Sequence, residues 1–183
     1  MSLPHAILTA LLEKPSSGLE LTRRFDKSIG YFWSATHQQI YRELAKLEEG
    51  GLIRVLPAAQ PTRGQKKEYE VLPAGRAELV SWVAKTDDPK PLRDPLAVRI
   101  RAAGVVGVQG LAAELRRHLA LHQEQLAQYL AFEERDYPAE RAADVPAEDR
   151  LRHLLLRGGI DSERFWIGWI TEVLAEVEGM PEG

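Results

Sequence analysis

The stretch from Tyr31 to Ile53, reading YFWSATHQQIYRELAKLEEGGLI, constrains the fold more than any other part of this chain. Ile40, Leu44 and Leu47 recur at spacings of three and four, which on an α-helix brings them to one side. Thr36 ahead of them is a cap residue. Gly50-Gly51 behind them is a helix stop, since glycine enters the left-handed backbone of a C-terminal cap without steric cost. From Leu52 the apolar spacing becomes that of a strand. Thr36, His37, Gln38, Gln39, Arg42 and Lys46 occupy the rest of the helix surface. Such a helix, apolar behind and rich in hydrogen-bonding side chains near its N-terminus, suits a DNA major groove. It also suits an ordinary surface position, so its flanks decide.

Upstream, Ser2 is placed to cap a helix with Leu3, Ile7, Leu8, Leu11 and Leu12 on one stripe, ending near Lys14-Pro15. Ser16 or Ser17 opens a second helix with Leu19, Leu21, Thr22 and Phe25 facing inward, closed by Asp26 to Gly30. Downstream, Leu52 to Leu56 and Lys67 to Leu72 alternate as strands, the second with Tyr69 and Val71 on one face. Between them runs a turn-rich segment from Pro57 to Gln65. Three helices followed by two strands around a loop make a winged helix-turn-helix. Pro73-Ala74-Gly75 then starts a fourth helix carrying Leu79, Val80, Trp82 and Val83.

Pro89, Pro91 and Pro95, spaced among charges, mark a boundary, so a first domain is expected over 1–86, a linker over 87–95 and a helical domain over 96–183. Asp94 before Pro95 caps a short helix reaching about Ala103, and Gly104, Gly107 and Gly110 break the chain. A long helix follows from Leu111 to Arg135, with Leu111, Leu115, Leu119, His122, Leu126, Tyr129 and Glu133 at near-heptad spacing. After a polar connector, Tyr137 to Pro146, a last helix from Ala147 to Val177 carries a broad stripe that includes Leu151, Leu154, Leu155, Ser162, Phe165, Trp166, Trp169, Ile170, Val173 and Val177. Gly158-Gly159 in its middle points to a close helix approach or to a kink.

Composition narrows the function. With 44% hydrophobic and 28% charged residues over 183 positions, the chain can bury a core and is not disordered. It has no cysteine, which excludes disulfides, thiolate metal sites and a cysteine nucleophile. The segment MSLPHAILTALLEKP lacks a basic flank and a cleavage site, so it reads as a core helix and not a signal peptide. No run is apolar enough for a membrane span, and a cytoplasmic protein is expected. Residues 1–86 hold 12 Lys+Arg against 9 Asp+Glu, and residues 87–183 hold 12 against 18. A basic first half beside an acidic second half suits a nucleic-acid reader joined to an interaction domain.

Residues FWSATHQQIYRELAKLEEGGLI, followed by TRGQKKEYEVLPAGRAEL, resemble the PadR family of bacterial transcriptional regulators. That family carries an aromatic pair before the third helix, then Tyr and Leu where Tyr41 and Leu44 stand. A leucine-glutamate and glycine exit, a basic wing and a Tyr-x-Leu-Thr-x-x-Gly-like element follow. Here the last is Tyr69 to Gly75, with Pro73 in place of the usual threonine, and Gly18-Leu19 stands where Gly-Tyr is common. The resemblance covers residues 1–86. From Arg93 to Glu178 the chain is similar, more weakly, to the helical dimerisation domain of longer members. The fold implied is mainly α: a winged helix-turn-helix with a two-stranded β wing, followed by an α-helical dimerisation domain. The function implied is a homodimeric DNA-binding regulator, with repression the commoner habit of the family. A small-molecule effector, aromatic in some members, comes from the same resemblance. The other reading is a protein-interaction module whose winged helix has lost DNA binding.

The candidate contacts to double-stranded DNA follow from side-chain chemistry. Gln38 and Gln39 can pair with adenine edges, Arg42 with guanine or phosphate, and Thr36 opens the same helix. Tyr41 either offers its hydroxyl to a phosphate or sits half in the core. Lys46 fits a charge near the backbone, and Arg63, Lys66 and Lys67 form a basic wing around Gly64 that can follow the minor groove or its phosphates. Phe165, Trp166 and Trp169 pack the core, line a dimer groove, or stack a planar ligand. Glu114, His118 and His122 share a helix face in a spacing that can hold a metal, but the plainer reading is polar surface, and no metal or cofactor is expected. No phosphate loop, nucleophile elbow or dinucleotide fingerprint occurs, so no enzyme is expected.

Overall fold

The apolar periods of the sequence become helices and strands in the computed structural model, which describes residues 2–27, 35–57, 67–89, 91, 93–138 and 146–180. Helix α1 (Leu3–Glu13) buries Ile7, Leu8, Ala10 and Leu11. Ser2 occupies its cap position, but the hydroxyl makes no cap bond. Pro4 in the first turn has no N–H, so the cap has one donor fewer to satisfy. Strand β1 (Ser16–Ser17) runs into α2 (Gly18–Lys27). Ser17 is the serine that opens α2. Its N–H donates to Glu20 Oε2 at 2.9 Å, and the Glu20 N–H donates back to Ser17 Oγ at 3.3 Å. Leu21, Thr22 and Phe25 are buried, while Leu19 is half-buried. Arg24 reaches from α2 to the end of α1, donating to the Ala10 and Lys14 carbonyls at 2.6 and 3.3 Å. Carbonyls at the end of a helix need such partners from outside it.

Helix α3 (His37–Glu49) is fixed at both ends. Thr36 and Gln39 form a capping box at its start. At its end Gly51 takes φ +67, the Gly51 N–H donates to Glu48 O at 3.0 Å, and the Leu52 N–H donates to Leu47 O at 2.9 Å. That paired bond is the Schellman arrangement, and it needs a residue able to adopt positive φ. Ile40, Leu44 and Leu47 face the core.

Strands β2 (Ile53–Val55) and β3 (Glu68–Val71) pair antiparallel, with Ile53 opposite Val71 and Val55 opposite Tyr69. The sheet has three strands in the order β1-β3-β2, with Ser16 opposite Tyr69 on the other edge of β3. The sequence reading anticipates only two strands. Two serines carry no apolar alternation, and β1 exists because Ser16 and Ser17 are buried and their backbone needs partners. Helix α4 (Pro73–Val83) then packs on α1. Only Leu79 of its expected apolar face is half-buried; Val80, Trp82 and Val83 are exposed, and Trp82 stacks on His5 at 4.4 Å.

Residues 1–89 form one unit and residues 90–183 a second. In the second, Asp94 Oδ1 caps α5 (Pro95–Val106) through the Leu96 and Ala97 N–H groups at 2.7 and 3.3 Å. The helix continues through Gly104 and stops at Gly107, where φ is +98, so Gly104 is not the expected break. Helices α6 (Leu111–Asp136) and α7 (Ala147–Glu178) form the body of this unit. His122 pairs with Glu163 and Glu133 with His153, so the two helices run antiparallel. Gly159 sits under the Tyr129 ring, whose Cε2 would lie 3.1 Å from a Cβ there, whereas Gly158 faces open space. Close helix approach explains Gly159.

The stripe on α7 is two stripes. Leu156, Ile160, Ile170 and Val177 are buried, with Trp166, Trp169 and Val173 half-buried beside them. Leu151, Leu154, Leu155 and Phe165 are exposed, Leu151 by 69% and Phe165 by 62%. One antiparallel neighbour covers only one side of a helix, and the sequence does not say which side that is.

Gly75, in the first turn of α4, has no room for a side chain. A Cβ there would overlap the Leu52 carbonyl oxygen, which already accepts the Leu72 N–H at 2.9 Å. Gly75→Ala is therefore expected to destabilise the first unit by about 2 kcal/mol through overpacking. Urea unfolding followed by far-ultraviolet circular dichroism checks this, and an unchanged midpoint would contradict the packing described.

Candidate nucleic-acid interface

Helix α3 turns about 100° per residue, so its three buried positions define the opposite, outward arc. Arg42 stands near the middle of that arc, with Gln38, Gln39, Ala45 and Lys46 around it, all exposed. The structure thus brings together on one face four residues expected to contact DNA. No acid lies in the first turn of this helix. Glu43 is half-buried at the edge of the face and bonds Lys46 at 3.3 Å.

The two glutamines differ. Gln39 Oε1 accepts the Thr36 N–H at 2.8 Å, while the Gln39 N–H donates to Thr36 Oγ1 at 3.2 Å. Gln39 and Thr36 therefore hold the first turn, and Gln38 beside them is exposed. Tyr41 lies at the edge of the arc, 49% exposed. Its ring rests on Gly18, where any Cβ would overlap it. It is scaffold on one side and open surface on the other. Gly18, noted in the sequence only as part of the family's Gly-Tyr position, is a positioning residue, because the Tyr41 ring occupies the space a side chain there would need.

Of the wing, Lys67 is exposed at the foot of β3. Arg63 and Lys66, like Trp33 before α3, lie outside the described residues. Arg54 on β2 adds a further cation, held across the ladder by Glu70 at 2.6 Å. Tyr69 is buried under these strands. Its phenol is pushed above its usual range by burial first, then by Glu48 and Tyr41.

The aromatic trio of the second unit is linked by edge-on ring contacts. Trp166 stacks on His122 at 5.7 Å, and His122 in turn is held by Glu163. Trp169 meets Trp166 edge-on at 5.4 Å, and Phe165 meets it edge-on at 5.6 Å from the exposed side. Of Glu114, His118 and His122, the first two pair with each other, whereas His122 is held by Glu163. Glu114 bonds Arg117, Arg99 and His118, and its carboxyl is lowered to about 2, chiefly by the hydrogen bond from Arg117. Among the described residues no group of three acids or histidines is placed to hold a metal ion.

A helix-turn-helix whose outward helix is pinned at both ends, backed by an antiparallel wing, defines a winged-helix regulator. Residues 7–81 match the transcriptional regulator PadR-like family, and residues 92–178 match the virulence activator alpha C-terminal family. The chain is 42% identical to the probable transcriptional regulator Rv1176c of Mycobacterium tuberculosis, over 94% of this chain and 96% of that one. It therefore belongs to the PadR-like family of transcriptional regulators. Its fold matches the Vibrio cholerae virulence activator AphA with a TM-score of 0.82 at 33% identity, covering 98% of this chain and all (100%) of that one. It matches Bacillus subtilis PadR in complex with operator DNA at 0.82 and 26% identity, over 96% of this chain and 98% of that one. The same PadR has also been solved with p-coumaric acid. No described helix is long and apolar enough to cross a membrane.

The capping role separates the two glutamines experimentally. Gln39→Ala is expected to cost about 1 kcal/mol of stability through loss of the capping box. Gln38→Ala should leave stability within about 0.5 kcal/mol of the parent. Thermal unfolding of the two variants checks this, and equal losses would contradict the cap geometry.

Proposed function

We propose that this regulator binds double-stranded operator DNA as a homodimer in the cytoplasm, represses transcription, and releases or tightens its grip when a small molecule reaches the helical unit. The observation that carries this reading is the outward arc of α3. It is centred on Arg42, free of acid in its first turn, pinned at both ends, and followed by a basic wing segment. In PadR the related fold is seen on operator DNA. By analogy α3 enters the major groove, with Gln38 and Arg42 toward base edges and Tyr41 and Lys46 toward the backbone. Arg63, Lys66 and Lys67 then lie along the phosphates.

One helix and one wing make a thin interface, so two protomers reading half-sites about one helical turn apart supply specificity. The exposed stripe of α7 supports that assembly. Leu151, Leu154, Leu155 and Phe165 fall on one side of the helix, and Gly158 on the same side meets nothing. An effector acts by changing the separation or tilt of the two recognition helices, which biases the DNA-competent arrangement.

Fluorescence anisotropy on a duplex from upstream of the protein's own gene tests the DNA part. Arg42→Ala, and separately the Arg63, Lys66, Lys67 triple alanine variant, should weaken binding. For every phosphate that is no longer neutralised, the slope of log affinity against log salt should flatten by about 0.9. No binding at low salt, or undiminished binding by both variants, leaves the interaction-module reading in its place.

Assembly has its own test. Leu154→Glu with Phe165→Glu changes exposed positions and should leave the protomer folded, yet give a monomer by light scattering. Its DNA affinity should fall about a hundredfold as two-site binding is abolished. A dimer that survives both changes would place the contact elsewhere.

A further inference from the structure

The second unit holds a cavity of about 350 Å³ between α5, the start of α6 and the end of α7. Its floor is apolar, with Ile100, Leu111 and Val173, and Trp169 forms one wall. Glu172 and Glu176, one turn apart and exposed, stand at its mouth. Neither has an ion pair or side-chain hydrogen bond among the described residues. No described lysine or arginine lines the space. Of the cations on these helices, Arg99 is engaged by Glu114 and Arg116 by Glu178, while Arg101 on α5 is exposed and does not line the space.

The end of α7 adds to this negative potential. Its last turn contains no basic residue, although a helix C-terminus carries partial negative charge and is stabilised by cations. Glu176 and Val177, at that end, line the cavity. Two carboxylates and the negative end of a helix thus act with one sign on an apolar space that an indole also lines. An aromatic face attracts a cation, most strongly where water is excluded. An apolar pocket of this size with a few convergent polar groups is what a small ligand needs.

We propose that this cavity binds a lipophilic organic cation, an ammonium or iminium centre carried on an apolar or aromatic body. The apolar body would lie on Ile100, Leu111 and Val173, and the cationic centre between Trp169 and the two carboxylates. Its role as the effector site rests on the regulator reading above; binding itself does not. Gly104 lines the cavity and has nothing within 4 Å of where a Cβ would stand, so the site has an opening that a larger side chain can fill.

Calorimetry on the full chain without DNA provides the test, using benzyltrimethylammonium as cation and phenylacetate as an anion of similar size. The cation should bind at least about tenfold more tightly than the anion. Glu172→Gln with Glu176→Gln should weaken it about tenfold and leave phenylacetate unchanged. Gly104→Leu should abolish cation binding and leave the thermal midpoint unchanged or raised, because leucine is the better helix former. Trp169→Phe should retain weaker binding. No cation binding, equal binding of both probes, or cation binding indifferent to Gly104→Leu would each overturn the proposal. If a second copy fills the space, the first of these results is obtained. Addition of benzyltrimethylammonium to the DNA complex then asks separately whether occupancy alters operator affinity. Loss of DNA binding without ligand would count against the regulator reading and leave the cation site standing.

Discussion

The first unit turns on the backbone of Leu52. Its N–H closes the last turn of α3 on Leu47 O, and its carbonyl accepts the Leu72 N–H that leads into α4. The same carbonyl stands where a side chain at Gly75 would be. One residue's backbone therefore fixes where α3 ends, where β2 starts, and how closely α4 approaches. The angle at which α3 presents Arg42 follows from that junction. Gly51 permits it by adopting positive φ, and Gly75 permits it by having no side chain. Both are glycines for reasons of geometry at one joint, not for flexibility.

The second unit uses polar pairs to set its register. A helix pair packed only through leucines can slide by a turn at modest cost, because apolar contact is non-directional. His122 on α6 with Glu163 on α7, and Glu133 with His153, exchange partners in both directions along the pair. Half-buried pairs of this kind add little net stability, since desolvation offsets attraction. A slipped register would leave them unpaired against apolar neighbours, and that is the costly state. Gly159 beneath Tyr129 makes the same register sterically distinct.

Much of this was legible in the chain. Thr36 as a cap, the glycine exit at Gly50-Gly51, the buried side of α3 and the alternation of Tyr69 and Val71 all depend on interactions within a few residues. Such interactions leave periodic or capping signals. What was not legible depends on distant partners. Strand β1 exists only against β3, and serines announce no strand. Gln39 and Gln38 are identical by residue type, and only the cap geometry distinguishes them. Gly18 matters because Tyr41 lies over it, a contact between residues 23 positions apart in the numbering. The four apolar residues at one end of α4 read as a core face, yet three of them are exposed.

The exposed and buried stripes of α7 bear on how association and ligand binding can be joined in one element. Four large apolar side chains left about half to two-thirds exposed forfeit roughly half of the ~1.5–3 kcal/mol that full burial of each contributes. A stable monomer has little reason to carry such a stripe along one helix, while a dimer recovers that free energy at its seam. The buried stripe, by contrast, reaches Trp169 and the acidic cavity at the opposite end of the same helix. A single continuous helix of 32 residues therefore connects the proposed assembly surface to the proposed ligand space. A rigid helix transmits a tilt at one end to the other without needing a chain of adjustable contacts. On the two proposals above, the acidic half of the sequence has separable tasks on one element: exposed apolar side chains from its start to just past its middle for association, and carboxylates near its end for recognition.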